Sequence, residues 1–261
     1  MQDIAFIVAG WVVGTVVAMT GVGGGSLMTP ILIFGFGTPA HLAVGTDLLF
    51  AAFTKMGGTV NMARQRQVPW AVVARLSAGS IPAALITLAV LRYVGPAQPS
   101  VQHAMTTTLG LALLLTAAAT LYKAWRGARQ PRATAERDNA TVIRHPALVL
   151  AFGALIGMLV TLTSVGAGAI GVTALMLLYP HLSLPRVVAA DIAYAVPLTL
   201  LAGLGHAGLG SVNWHWLGLL LMGSLPGIWL GSHLIHRVPE RVVRAMLSLL
   251  LAYAGGKLVT L

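Results

Sequence analysis

Apolar runs of about twenty residues recur along the chain, separated by short polar or glycine-rich breaks. Segments such as 103–122 and 214–235 contain no Asp, Glu, Lys or Arg. At 1.5 Å rise per residue, such a run crosses the hydrocarbon of a bilayer as a helix. No stretch alternates apolar and polar residues with period two over barrel-strand lengths. The pattern predicts an all-α polytopic membrane protein. Helices are expected at about 4–20, 41–62, 70–92 and 103–124, and again at 147–163, 186–205, 214–236 and 241–259. Shorter apolar pieces lie at 26–36 and 169–179. Asp3 precedes the first apolar run and no basic segment does, so no cleavable signal peptide is expected.

The chain repeats itself. "GSIPA" at 79–83 returns as "GSLPG" at 223–227, and Trp70 and Trp214 precede them by the same interval. Asp47 and Asp191 fall at that offset too, and "TGVGGG" at 20–25 matches "TSVGAG" at 163–168. Markers in the same order imply an internal duplication. The first transmembrane repeat is 1–125 and the second is 147–261, with the hydrophilic stretch 126–146 as the linker. Each half reads as a broken-helix hairpin plus three transmembrane helices.

Charge sets the orientation. The 261 residues are 57% hydrophobic and only 8% charged, with a net charge of +10. The basic residues gather in short loops: Arg64 and Arg66; Lys123, Arg126, Arg129, Arg132, Arg137 and Arg144; Arg237, Arg241 and Arg244. That is the positive-inside pattern, and the linker is expected to be cytoplasmic. Arg92 and Lys257 are exceptions on the outer side. The loop "ARQRQVP" is basic while its counterpart "HAGLGSVN" has no Lys or Arg, and the following pair of loops shows the opposite contrast. Equivalent loops therefore fall on opposite sides, and the repeats are expected to be inverted, as in secondary transporters. No continuous basic face interleaved with aromatics points to nucleic acid. The chain has no cysteine, and no pair of residues has metal-ligand spacing.

The glycine break at 20–25 interrupts a helix where adjacent glycines unwind it. G-x-G-x-x-G is not met, because position 26 is Ser and no strand precedes it. One reading is close helix packing. The other is an anion site. Unwound backbone at membrane depth must lie inside protein or beside a cavity, and the helix that follows presents free N–H groups and a positive dipole end. Gly21, Gly23, Gly24 and Gly25, with Gly166 and Gly168 in the other half, are the backbone candidates, and Ser26 and Thr29 add hydroxyls.

"GVGGGSLMTPILIFGFGTPAHLAVGTDLL", then an arginine-bearing loop, Trp70 and "GSIPA", resembles the TauE/SafE sulfite exporter family across nearly the whole chain. The resemblance implies transport of sulfite, sulfonates or related small organic anions, with Thr46 of "GT" among the substrate-contacting positions. It implies a multi-pass protein of the cell inner membrane with no cofactor. The chain departs from the family pattern where Asp47 follows "GT", where Asp191 stands in "AAD", and where the second glycine motif thins to "SVGAG".

Intramembrane charges sharpen this picture. Of six acidic residues, Asp47 and Asp191 lie inside expected helices, which makes them coupling sites for a proton or sodium or caps of helices that begin later. Lys55 stands mid-helix with the uncharged Thr199 as its repeat partner. It faces the anion pathway, or snorkels to the interface, or pairs with a carboxylate on another helix. His41, His181, His206 and His215 are expected at solvated loop or interface positions, and Trp11, Trp70, Trp125, Trp214 and Trp216 as interfacial anchors. The leading function is a secondary transporter of a small anion. A passive anion channel is the alternative, and an intramembrane enzyme finds no nucleophile–base pair in the sequence.

Overall fold

The structure is a computed structural model that describes residues 2–20, 24–126, 146–180, 182–234 and 240–260. The linker core at 127–145, Gly21 and Gly23, His181 and Arg237 lie outside the described residues. Those described are almost entirely helical, with no strand. Helix α1 spans Gln2–Thr20; α2 spans Gly25–Pro30 and runs into a π turn, Ile31–Gly35. Then come α3 Ala40–Arg64, α4 Trp70–Val94 and α5 Pro99–Arg126. The second half contains α6 Pro146–Thr163, α7 Ala169–Leu178, α8 Leu184–Gly208, α9 Trp214–Leu234 and α10 Glu240–Val259. Among the described residues four helices are long and apolar enough to cross a membrane: α1, α4, α5 and α8. Helices α4 and α9 run through Pro82 and Pro226 without interruption.

The chain reverses after α1. Phe36, at the end of the π turn, stacks on Phe6 at 4.0 Å between ring centroids, so 25–36 returns along the helix that precedes it. Pro30 has no N–H to give the helical ladder, and the wider π turn follows directly.

Small residues set the helix pairs. Helix α1 runs parallel to α9, with Gly10 against the backbone of Leu220, Gly14 against Ser224, and Gly223 against Ile7 and Trp11. Helix α6 runs parallel to α4 in the same manner: Gly153 meets Leu76, Gly157 meets Ser80, and Gly79 meets Leu150 and Ala154. In each pair a Cβ would collide with a main-chain oxygen of the partner, so glycine permits the approach. Helices α3 and α8 run antiparallel, Gly45 against His206, Leu49 against Gly203 and Gly58 against Ile192. Helices α5 and α10 also run antiparallel and meet at Gly110 and Gly255.

Two cores result. One gathers α4, α6, α7 and α8 around Leu76, Ile156 and Tyr194. The other gathers α1, α2, α5, α9 and α10 around Met28, Leu109 and Leu220. Helix α3 contributes to both, Leu48 to the first and Leu49 and Phe50 to the second. The outer faces carry large apolar side chains such as Ile86, Met222, Trp229 and Leu249. That is the surface a lipid environment accepts and water does not.

Gly223→Leu is expected to destabilise the fold by about 1–3 kcal/mol, the cost of overpacking a close contact. Gly218→Ala, at a position with open space around it, is expected to be neutral or to stabilise by up to about 1 kcal/mol through helix propensity. Melting of the detergent-purified proteins checks both.

Candidate functional site

The two helix breaks meet. A Cβ on Gly25, the first residue of α2, would overlap the Ser164 carbonyl oxygen and lie 2.9 Å from its hydroxyl. The glycine therefore lets the start of α2 close onto the break that follows α6. That second break is strained in the way its composition allows. Ser164, Gly166 and Gly168 all have positive φ, at 60°, 134° and 125°, and two of the three are glycine. Gly24 packs on the ring of Phe50 and on Val17. Both glycines thus sit in close packing.

Asp47 and Asp191 are fully buried, at 0% and 1% exposure. Neither caps its helix. Helices α3 and α8 begin at Ala40 and Leu184, with Pro39 and Ser183 at the caps, so both carboxylates lie about two turns inside. Thr29 of α2 donates its hydroxyl to Asp47 Oδ2, and the Ser164 hydroxyl faces the same carboxylate. Thr29, expected as a donor for a bound anion, is thus committed to Asp47. Asp191 Oδ1 lies against the backbone of Gly171 in the first turn of α7, and Tyr194 and Lys55 are its electrostatic neighbours.

Lys55 is half-buried on α3. Asp191 and Asp47 are its charged neighbours. Its repeat partner Thr199 bonds its own helix, Oγ1 to Ala195 O at 2.8 Å.

Thr46 takes a different partner. Its hydroxyl accepts the Asn213 N–H at 3.0 Å, which ties α3 to the start of α9. Ser26 is buried in the first turn of α2. His206 corrects its expectation, because it is fully buried instead of solvated. Its Nε2–H donates to Thr161 O at 2.9 Å. The reason is local: α6 ends at Thr163, and the Val165 N–H that would bond Thr161 O in a continuing helix bonds Thr163 Oγ1 instead. His215 is exposed and pairs with Asp3 at 3.2 Å, and Trp70 and Trp214 are exposed at helix starts.

The sequence reading passed over three polar side chains. Ser164 occupies the position that matches Gly21, so its hydroxyl is the polar group that the second break adds. Tyr194 falls one turn after Asp191, on the same helical face. Its hydroxyl faces Ser80 of α4, which is the residue on which Gly157 packs.

His206→Leu is expected to cost about 1–3 kcal/mol, because it leaves the Thr161 carbonyl buried without a donor. Melting of the purified variant checks the size, and normal substrate affinity would show that the histidine braces α6 without contacting cargo.

Residues 6–258 match the family model described as "Sulfite exporter TauE/SafE". The chain is 32% identical over 262 residues to the probable membrane transporter protein YjnA of Bacillus subtilis (strain 168), covering 99% of this chain and 100% of that one. It is 26% identical over 274 residues to YunE of the same organism, also called a probable membrane transporter protein, covering 99% and 98%. No solved structure matches. A near-complete family match, a relative of equal length, apolar spans and buried charges agree: the chain belongs to the TauE/SafE sulfite exporter family, as a multi-pass membrane transporter of a small molecule.

Proposed function

We propose that the protein is a secondary transporter of a small anion, a sulfur oxyanion or organosulfonate, in the cell inner membrane. Its two repeats, 1–125 and 147–261, rock about a shared site, and the linker 126–146 is cytoplasmic. One observation carries this reading: the two helix breaks meet, Gly25 on Ser164, next to the buried carboxylate of Asp47.

Inversion of the repeats is supported by direction. Repeat-equivalent helices α3 and α8 lie antiparallel, as do α5 and α10. The contacts also exchange partners: Gly10 on Leu220 in one pair corresponds to Gly153 on Leu76 in the other. A rotation that swaps the halves accounts for both, and alternating access needs two such interchangeable arrangements.

In this reading the anion is held by backbone N–H groups at the starts of α2 and α7, through Gly21, Gly23, Gly24, Gly25 and Ser26 on one side and Gly166 and Gly168 on the other. Thr46 borders the site from α3. Lys55 supplies the positive charge, and Asp47 and Asp191 serve the coupling ion, a proton or sodium. No nucleotide-binding motif stands in the sequence, so the energy source in this reading is a gradient or a partner.

Liposomes with the purified protein test this against sulfite, sulfate, sulfonates and carboxylates under imposed proton and sodium gradients. Gradient-driven uptake of a sulfur oxyanion or sulfonate is expected, and flux that ignores both gradients would indicate a channel. Lys55→Met is expected to fold and to weaken anion binding by roughly 1–3 kcal/mol, the scale of a charge-assisted hydrogen bond. Lys55→Arg keeps part of the affinity, because charge is preserved while donor geometry changes. Equal, wild-type affinities in both variants would remove Lys55 from the site.

A further inference from the structure

Helices α4 and α8 are both apolar enough to span a membrane, and they run parallel. Ser80 faces Tyr194, and further along Leu88 packs on Gly205, where a Cβ would overlap the leucine. They end at the same level, at Val94 and Gly208. Between their last turns lies a groove of about 350 Å³. Leu88, Leu204, Gly205 and Gly208 line it, and Arg92 is the one charged residue in its lining. A Cβ on Gly208 would meet nothing within 4 Å. The groove opens on a face made for lipid: Leu85, Ile86, Val90 and Leu204 are each more than half exposed.

Arg92 is exposed, and it makes no ion pair with any described residue. The positive-inside pattern does not account for it either, because it is one of two basic exceptions on the side expected to be outer. We propose that the groove binds one anionic phospholipid, with the headgroup phosphate on the Arg92 guanidinium and an acyl chain along Leu88 and Leu204. The two ends of the groove match the two ends of that molecule. Arg92 lies in the last turn of α4, where the apolar span gives way to the headgroup layer, and its fork of N–H donors suits a phosphate. The leucine walls lie toward the hydrocarbon, and the bare Gly208 leaves room beside them. A free phosphate ion would satisfy the arginine and leave the apolar lining empty. Bare carbonyls at two helix ends would repel an anion, but these are occupied. The Gly95 N–H bonds Leu91 O, and the N–H groups of Leu209, Gly210 and Ser211 bond the last carbonyls of α8. Which leaflet supplies the lipid rests on the orientation expected from the charge pattern; the groove itself does not. Because α4 belongs to the first half of the chain and α8 to the second, a bound lipid would hold the halves in the arrangement seen here.

The test reads lipid binding without any transported anion. The melting temperature of the protein, purified in a non-ionic detergent, is followed against phosphatidylglycerol, against phosphatidylcholine with the same acyl chains, and against inorganic phosphate. A saturable rise is expected at lower concentrations of phosphatidylglycerol than of phosphatidylcholine, and none with phosphate. Arg92→Gln should raise the half-saturating phosphatidylglycerol concentration about tenfold or more, the scale of one charge-assisted hydrogen bond, and so erase the preference. Arg92→Lys should keep part of it. Gly208→Leu fills the open space at a position without positive φ, and should weaken both lipids while the lipid-free melting temperature holds. The proposal is overturned if the two lipids act alike on the unmodified protein, if Arg92→Gln keeps the preference, if Gly208→Leu leaves both half-saturations unchanged, or if inorganic phosphate matches phosphatidylglycerol. None of these readings depends on transport, so the lipid site and the anion-transporter reading stand or fall separately.

Discussion

Every peptide group inside an apolar surround must find a hydrogen-bond partner, and the structure is organised around the two places where that rule is hardest to keep. A continuous helix meets it internally. A helix broken at 20–25 or at 164–168 does not. The solution adopted here is to set the breaks against each other, so that the start of α2 covers the segment after α6. Side chains then take over bonds the helices have lost: His206 closes the Thr161 carbonyl, and Thr163 takes the Val165 N–H.

Holding two irregular segments in contact requires a stiff frame, and glycine provides it by removing side-chain bulk. Helices α1 and α9, like α6 and α4, approach until main-chain atoms touch. Lipid is as apolar as leucine, so burying larger side chains would add little attraction between helices, whereas close backbone packing does. Each broken hairpin is thereby braced by a long helix of the other half, and the pair α3–α8 passes between them. The two Asp residues and Lys55 ride on that central pair, where any relative movement of the halves changes what surrounds them.

The charge pattern along the pair is uneven. Lys55 has no charged counterpart in the second half, where Thr199 stands at the matching position. The glycine contacts of α1 on α9 recur in α6 on α4, because close backbone packing serves both pairs, whereas the lysine of α3 does not recur in α8.

Much of the fold was legible in the sequence. Long uncharged apolar runs have one solution in a bilayer, so the helices at 70–94, 99–126 and 184–208 stand close to where the pattern predicts them. The breaks were legible too, because a cluster of glycines favours unwound backbone, although Gly57 and Gly58 stay helical inside α3, as do Gly255 and Gly256 inside α10. Asp47 and Asp191 were legible as acids in expected helices, while whether they sat inside or at the caps was not. The sequence could not say which surfaces meet. Hydrophobic periodicity is faint when both lipid and protein are apolar, so nothing in it places Gly25 on Ser164, pairs Thr29 with Asp47, sends Thr46 to Asn213, or buries His206. Those partners belong to residues far apart in the chain and are brought together only when α3 and α8 pack. Tertiary structure decided them because a polar group in an apolar interior takes whichever partner the packing leaves within reach.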